Sequence, residues 1–144
     1  MRTVRHIIEG KAQEIWSVSP DSTVFDALTL MGEKNIGALT VLENGALVGI
    51  FSERDYARKV ILKGKSSREL RVREIMTSPV ISVGPEQSID EVMKIMSERH
   101  FRHVPVLKDG KLNGIISIGD VVKEIIAEQQ STIDQLSGYI TGKI

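Results

Sequence analysis

The chain repeats itself. Ser17-Val18-Ser19-Pro20 returns as Ser82-Val83-Gly84-Pro85, 65 residues further on. The same offset pairs Met31 with Met96, Val41-Leu42 with Val106-Leu107, Gly45 with Gly110, Gly49-Ile50 with Gly114-Ile115, Ser52 with Ser117 and Asp55 with Asp120. Chance does not hold one register that long, so the fold must be built from two copies of one unit. The copies are expected at residues 12–63 and 76–127, with a polar linker over 64–75 and a helical extension over 128–144.

Each copy reads as strand, helix, strand, strand, helix. In the second, Val80 to Val83 is a β-branched run, and Ser88-Ile89-Asp90-Glu91 has the form of a capping box that opens a helix with Val92, Met93, Ile95 and Met96 on its apolar side. Thr23-Val24-Phe25-Asp26 stands at the equivalent place in the first. Two hairpins are expected, one turning at Glu43-Asn44-Gly45-Ala46 and one at Lys108-Asp109-Gly110-Lys111. A helix follows each, starting near Asp55 or Asp120. One such unit is too small to cover its own sheet, which favours two packed in pseudo-twofold symmetry as an α+β protein.

Composition narrows the chemistry. Nineteen Lys and Arg balance nineteen Asp and Glu, so no general field attracts a polyanion, and nucleic acid is not an expected partner. The chain has no cysteine, which removes disulfides, thiolate nucleophiles and Cys-built zinc sites and suits a reducing cytoplasm. Apolar runs are short and broken by charge, so neither membrane spanning nor secretion is expected. His100 and His103 lie at a helix end and a strand start without a third ligand, so no metal is expected. Met31, Met93 and Met96 read as core filler. Lys63, Lys65, Arg68, Arg71 and Arg73, diluted by Glu69 and Glu74, read as a solvated linker.

The segments Gly49-Ile50-Phe51-Ser52-Glu53-Arg54-Asp55 and Gly114-Ile115-Ile116-Ser117-Ile118-Gly119-Asp120 share the form Gly-apolar-apolar-Ser-x-x-Asp at a strand-to-helix junction. N–H groups at a helix start beside a hydroxyl suit a phosphate, and a carboxylate can accept the two hydroxyls of a ribose. The simpler alternative is that Ser caps the helix and Asp favours its dipole. Recurrence in one register weighs towards a site.

These segments, together with Met76-Thr77-Ser78-Pro79-Val80-Ile81-Ser82-Val83 and Arg102-His103-Val104-Pro105-Val106-Leu107, resemble the cystathionine-β-synthase (CBS) domain pair, or Bateman module, over nearly the whole chain. Gly49 to Tyr56 and Val104 to Val122 are similar to a small stand-alone subgroup of two repeats. The resemblance implies a non-catalytic sensor that binds AMP, ADP, ATP or NAD(H) in clefts between repeats and signals through a homodimer or a separate effector protein. It implies that Asp55 and Asp120 hold the ribose, with Ser52 and Ser117 near ribose and phosphate. Arg54 would aim its planar fork at phosphate. Gly119 stands in its place in the second copy, where Arg102 and His103 would supply the charge. Adenine would lie against Thr77, Pro79, Val80 and Ile81 for the Asp55 cleft, and against Ile15, Trp16, Ile36 and Gly37 for the Asp120 cleft. Trp16 reads equally well as a core plug.

The tail carries Val122, Ile125, Ile126, Ile133, Leu136 and Ile140 on a helical stripe longer than one unit needs, the mark of a partner surface or of a turn folded back on its own unit. Two rival functions stay open. An enzyme of nucleotide metabolism lacks any carboxylate pair, Ser-His-Asp set or metal cluster at a plausible spacing. A nucleic-acid-binding protein would need a local basic patch.

Overall fold

The computed structural model describes residues 2–11 and 14–141. Ala12 and Gln13, where the first repeat was expected to open, and residues 142–144 of the expected extension lie outside the described residues. The elements run α1 (Val4–Gly10), β1 (Ser17–Val18), α2 (Val24–Lys34), β2 (Ala38–Glu43), β3 (Ala46–Ser52), α3 (Glu53–Tyr56), a π-helical turn (Ala57–Ile61), α4 (Val72–Ile75), α5 (Ile89–Arg99), β4 (His103–Lys108), β5 (Lys111–Ser117) and α6 (Ile118–Thr141). They divide into two compact units, one of Glu14–Ser82 and one that joins α1 to the chain from Val83 onward.

In the unit of Glu14–Ser82, β1 pairs parallel to β2 and β2 antiparallel to β3. The β2–β3 turn puts Asn44 at φ 53 and Gly45 at φ 79, the pair of positive angles that a two-residue turn needs to match strand twist. Asp109 (φ 53) and Gly110 (φ 76) do the same between β4 and β5. Both hairpins carry a register shift at the same repeat position, after Val41 and after Val106. Helix α2 is capped by the Thr23 hydroxyl, which accepts from Asp26 N–H at 3.1 Å, and α5 by Ser88, which accepts from Glu91 N–H at 3.1 Å. Only this half of the expected box forms, because Glu91 turns to Gln87 Nε2 at 3.4 Å. Asn35 (φ 54) and His100 (φ 59) end the two helices in the left-handed conformation.

The core of this unit joins Val24, Ala27 and Met31 of α2 to Leu39, Val41, Phe51 and Val60, and also to Val72 and Ile75 of α4. The linker expectation is thereby corrected. Val72 and Ile75 lie three apart on one helical turn and point inward, leaving Arg71 and Arg73 outside. The stretch ahead of them closes the start of α2, where Val24 N–H donates to Leu70 O and Phe25 N–H to Ser67 O, both at 2.9 Å. Its cations are engaged too: Arg68 stacks on Phe25 with 3.9 Å to the ring centre, and Arg73 bridges Asp21 at 3.3 Å and Glu43 at 2.5 Å.

The other unit uses α1 as its counterpart to α4. Val72 and Arg73 donate their N–H groups to Ser22 O and Pro20 O, and Val4 and Arg5 donate theirs to Gln87 O and Pro85 O, all at 2.9 Å. Each short helix thus packs on the repeat that does not follow it directly in the chain. Val4 and Ile7 join Val83, Ile89, Val92, Met96, Val104, Val106, Ile116 and Val121 in the core. The strand expected over Val80 to Val83 does not form. Only Val83 bridges Val106, donating to Pro105 O at 3.0 Å and accepting from Leu107 N–H at 2.9 Å. Thr77 pairs instead with Ile50, and Pro79 has no N–H to offer a ladder.

Helix α6 begins on this core through Val121 and Ile125 and then leaves it. Val122, Ile126, Ile133, Leu136 and Ile140 are all exposed, so the tail stripe is not folded back on its own unit. Among the described residues no helix is long and apolar enough to cross a membrane.

Candidate functional site

At the start of α3, Ser52 N–H donates to Asp55 Oδ2 at 3.0 Å, while the Ser52 hydroxyl accepts from Asp55 N–H at 3.3 Å and donates to Oδ2 at 3.1 Å. At the start of α6, Ser117 N–H donates to Asp120 Oδ2 at 2.8 Å and the Ser117 hydroxyl accepts from Asp120 N–H at 3.1 Å. Capping is therefore real in both copies, and it fixes each carboxylate in one rotamer. The first helical N–H is used as well, Glu53 donating to Gly37 O at 3.1 Å and Ile118 to Arg102 O at 2.8 Å.

The glycine that opens each motif has a steric reason. A Cβ on Gly114 would come within 2.7 Å of Ile8 Cδ1, and one on Gly49 would collide with the Met76 side chain. The two glycines let a short helix, α1 or the end of α4, lie close on the strand that leads to the aspartate.

Four of the expected residues come together around α3. Ser52, Arg54 and Asp55 share its first turn, and the Thr77 hydroxyl donates to Asp55 Oδ1 at 3.0 Å. Asp55 is buried, with Lys59 Nζ 3.0 Å from Oδ1. Val80 and Ile81 are half-buried and Pro79 is exposed in the same unit. In the other unit, His103 opens β4 directly opposite Ser117, and exposed Arg102 sits at the start of α6 with Gly119 and Asp120 one turn on. A Cβ on Gly119 would find ordinary contact only, 3.6 Å from Ser117 Oγ, so packing does not demand glycine there.

Ile15, Trp16, Ile36 and Gly37 belong to the unit of Glu14–Ser82. Trp16 packs against its core, and the Lys34 ammonium lies 4.2 Å from the ring centre. Ile36 and Gly37 line an open recess of about 500 Å³ with Leu28, Met31, Glu53 and Tyr56.

Two lysines were not anticipated. Lys59 follows Asp55 by four residues on the helical surface, a spacing legible in the sequence. Lys11 Nζ donates to Asp120 Oδ2 at 2.7 Å and to Ile115 O at 3.0 Å, and nothing in the order of residues announces a contact across 109 positions. Burial pushes the Asp120 carboxyl up, but the Lys11 hydrogen bond, the Ser117 N–H, the Lys11 charge and the Ser117 hydroxyl together outweigh it and hold it below its usual value. Among the described residues no group of three or more His, Asp or Glu side chains is arranged to hold a metal ion.

Comparison with known proteins matches the CBS domain family over residues 4–62 and 72–127. The Arabidopsis thaliana protein CBSX3, a mitochondrial CBS domain-containing protein, is 38% identical, over 97% of this chain and 72% of its own length. A solved structure of a protein with CBS domains from Burkholderia ambifaria is 51% identical, with a TM-score of 0.84 over 88% of this chain and 96% of the other. The CBS domain pair of protein MJ0100, solved with 5′-methylthioadenosine and S-adenosyl-L-methionine, is 25% identical with a TM-score of 0.77 over 89% and 98%. With both repeats matched, and with a capped Ser-x-x-Asp turn opening a helix in each, this chain belongs to the CBS domain family as a tandem pair.

Proposed function

We propose that the pair is a regulatory module that binds an adenosine-containing ligand, AMP, ADP, ATP or NAD(H), at its Ser-x-x-Asp turns, with the ribose on the aspartate. The observation that carries this reading is the recurrence of one preset carboxylate in both units, with Ser52 and Ser117 holding Asp55 and Asp120 through the same N–H bond. A carboxylate so fixed is organised in advance for a diol, since little side-chain freedom remains to be lost on binding. The adenosine moiety common to both MJ0100 ligands supports the ligand class. Arg54 in one unit, and Arg102 with His103 in the other, are proposed to meet phosphate, and Thr77, Pro79, Val80 and Ile81 to meet the base beside Asp55. Ile15, Trp16, Ile36 and Gly37 keep the base-contacting role proposed for them, and the module is proposed to work in the cytoplasm without catalysing a reaction.

Output is assigned to α6. Ile126, Ile133 and Ile140 recur every seven residues, with Val122 four residues ahead of the first and Leu136 between the last two, a heptad seam left open to solvent. A second copy laid along this seam would form a homodimer, and an effector protein could read the result.

Calorimetry and thermal melts with AMP, ADP, ATP, NAD and NADH test the ligand. A ligand at a hundredfold excess over its Kd stabilises the fold by about 2.7 kcal/mol. Absence of heat and of any melting shift with all five would overturn the reading. Recovery of the nucleotide unchanged excludes turnover, and a product that survives Asp55→Ala and Asp120→Ala would belong to another site.

A further inference from the structure

One residue supplies two donors in the unit of Glu14–Ser82. Thr77 N–H donates to Ile50 O at 2.8 Å, and its hydroxyl donates to Asp55 Oδ1 at 3.0 Å. The repeat carries Ile50 to Ile115 and Asp55 to Asp120, but it carries Thr77 back to Ala12, which has no hydroxyl. In the other unit a single ammonium takes both acceptors: Lys11 Nζ donates to Ile115 O at 3.0 Å and to Asp120 Oδ2 at 2.7 Å. This lysine is no loose surface arm. It follows α1 directly, its backbone N–H closes that helix on Ile8 O, and Val4 and Ile7 anchor the helix in the core.

The two carboxylates consequently differ in what they can still offer. Asp55 is held by its own turn and by Thr77: Oδ2 accepts from the N–H and hydroxyl of Ser52, and Oδ1 from the Thr77 hydroxyl, with the Lys59 ammonium of the same helical stretch beside it. Asp120 lacks a counterpart to Thr77. Its Oδ2 accepts from Ser117 N–H and from Lys11, with the Ser117 hydroxyl also engaged, and its side chain is 20% exposed against 10% for Asp55.

We propose that Lys11 is a resident stand-in for the ligand at Asp120: its ammonium fills the place of the ribose hydroxyls, so an adenosine ligand binds there by displacing Lys11, a competitor that reaches its carboxylate from a distant segment and has no equivalent at Asp55. The proposal rests on the reading that Asp120 receives a ribose. An ammonium and a diol present the same thing to a carboxylate, several N–H or O–H donors on one small head, so they compete for one acceptor set. Displacement separates an ion pair, and the bound ligand is weakened by the free energy of that separation. Lys11 thereby sets the threshold at which the Asp120 site fills, and the two sites of one chain respond over different ranges of ligand.

Calorimetric titration of the full chain with AMP, compared among wild type, Lys11→Met, Lys11→Arg and Lys59→Met, tests this. Removing the competitor tightens the Asp120 site about fivefold in Lys11→Met, the worth of a modest ion pair. Lys11→Arg, which keeps the charge, stays near wild type, and Lys59→Met, beside Asp55, leaves the affinity of the Asp120 site unchanged. Carbon-detected NMR of the Asp120 carboxyl, without nucleotide, reports the ion pair itself and shows whether Lys11→Met remains folded. Its titration midpoint rises in that variant. Heat from AMP with unchanged or weaker affinity in Lys11→Met overturns the proposal and leaves the adenosine reading intact. A midpoint that does not move, with every variant folded, also overturns it. No heat from any of the proteins removes the adenosine reading, and the stand-in role falls with it.

Discussion

The Thr77 hydroxyl reaches the Asp55 carboxylate at 3.0 Å from the segment that follows α4, 22 residues further along the chain. That hydrogen bond ties the end of α4 to the first turn of α3 through a charged acceptor, and such bonds contribute about 1.5–3 kcal/mol. Thr77→Val keeps the shape and removes the donor, so urea unfolding should show a loss of that order. Thr77→Ser should restore most of it. A Thr77→Val variant as stable as wild type would mean that water replaces the hydroxyl without loss.

Acid should act on the other carboxylate. Asp120 is held below the usual value of 3.8, against the burial that pushes it up, chiefly by Lys11. A group depressed in the folded state adds stability that is complete above its unfolded value and disappears as pH falls through the folded one. The stability gap between wild type and Lys11→Met is therefore expected to be full at neutral pH and to shrink below about pH 4. Melts across pH 2 to 7 would read it. A gap independent of pH would show that Lys11 stabilises by packing and not by charge.

Gly114 should tolerate no side chain while Ile8 keeps its own. Gly114→Ala pushes a methyl to within 2.7 Å of Ile8 Cδ1, and overpacking of this kind costs about 1–3 kcal/mol. Ile8→Val removes that terminal methyl and should recover part of the loss in the double variant. Gly49→Ala faces the flexible thioether of Met76 and is expected to cost less. Additive effects at positions 8 and 114 would refute the steric account, since residues in contact must couple.

The open seam of α6 predicts association. Ile133 and Leu136 are 57% and 59% exposed in the single chain. Fully burying an aliphatic side chain is worth about 1.5–3 kcal/mol, so a cover is favoured. Replacing both with Glu should convert a dimer to a monomer that remains folded and still binds nucleotide. Sedimentation decides it: a wild type already monomeric at micromolar concentration, or a double-Glu variant still dimeric, would place the partner surface elsewhere.

The hairpins, caps and aspartate turns were legible because each is written in a few adjacent residues. Asn44-Gly45 and Asp109-Gly110 suffice for their turns, and Thr23 and Ser88 for their helix starts. What escaped depends on partners far along the chain. Val80 to Val83 has the composition of a strand, yet a strand exists only where a neighbour accepts its N–H groups, and only Val83 finds one. Arg71 and Arg73 made the joining stretch look solvated, while Val72 and Ile75, on the opposite side of the same turn, fill the core. Lys11 was unremarkable in sequence because its acceptor lies 109 residues away.

The exchange of the two short helices bears on how the chain acquires its structure during synthesis. Once Ser82 has emerged from the ribosome, every residue of one unit is available, α4 included, and that unit can close on its own. Helix α1 leaves before either repeat but has to wait for the core formed by Val83, Val104, Ile116 and Val121, 76 to 117 positions behind Ile7 and Val4. Contacts so distant in sequence are slow to form, because a long loop must be closed before any of them is gained. The segment of α1 is thus made before both repeats but placed only with the second, and Lys11 reaches Asp120 only after that repeat has been made.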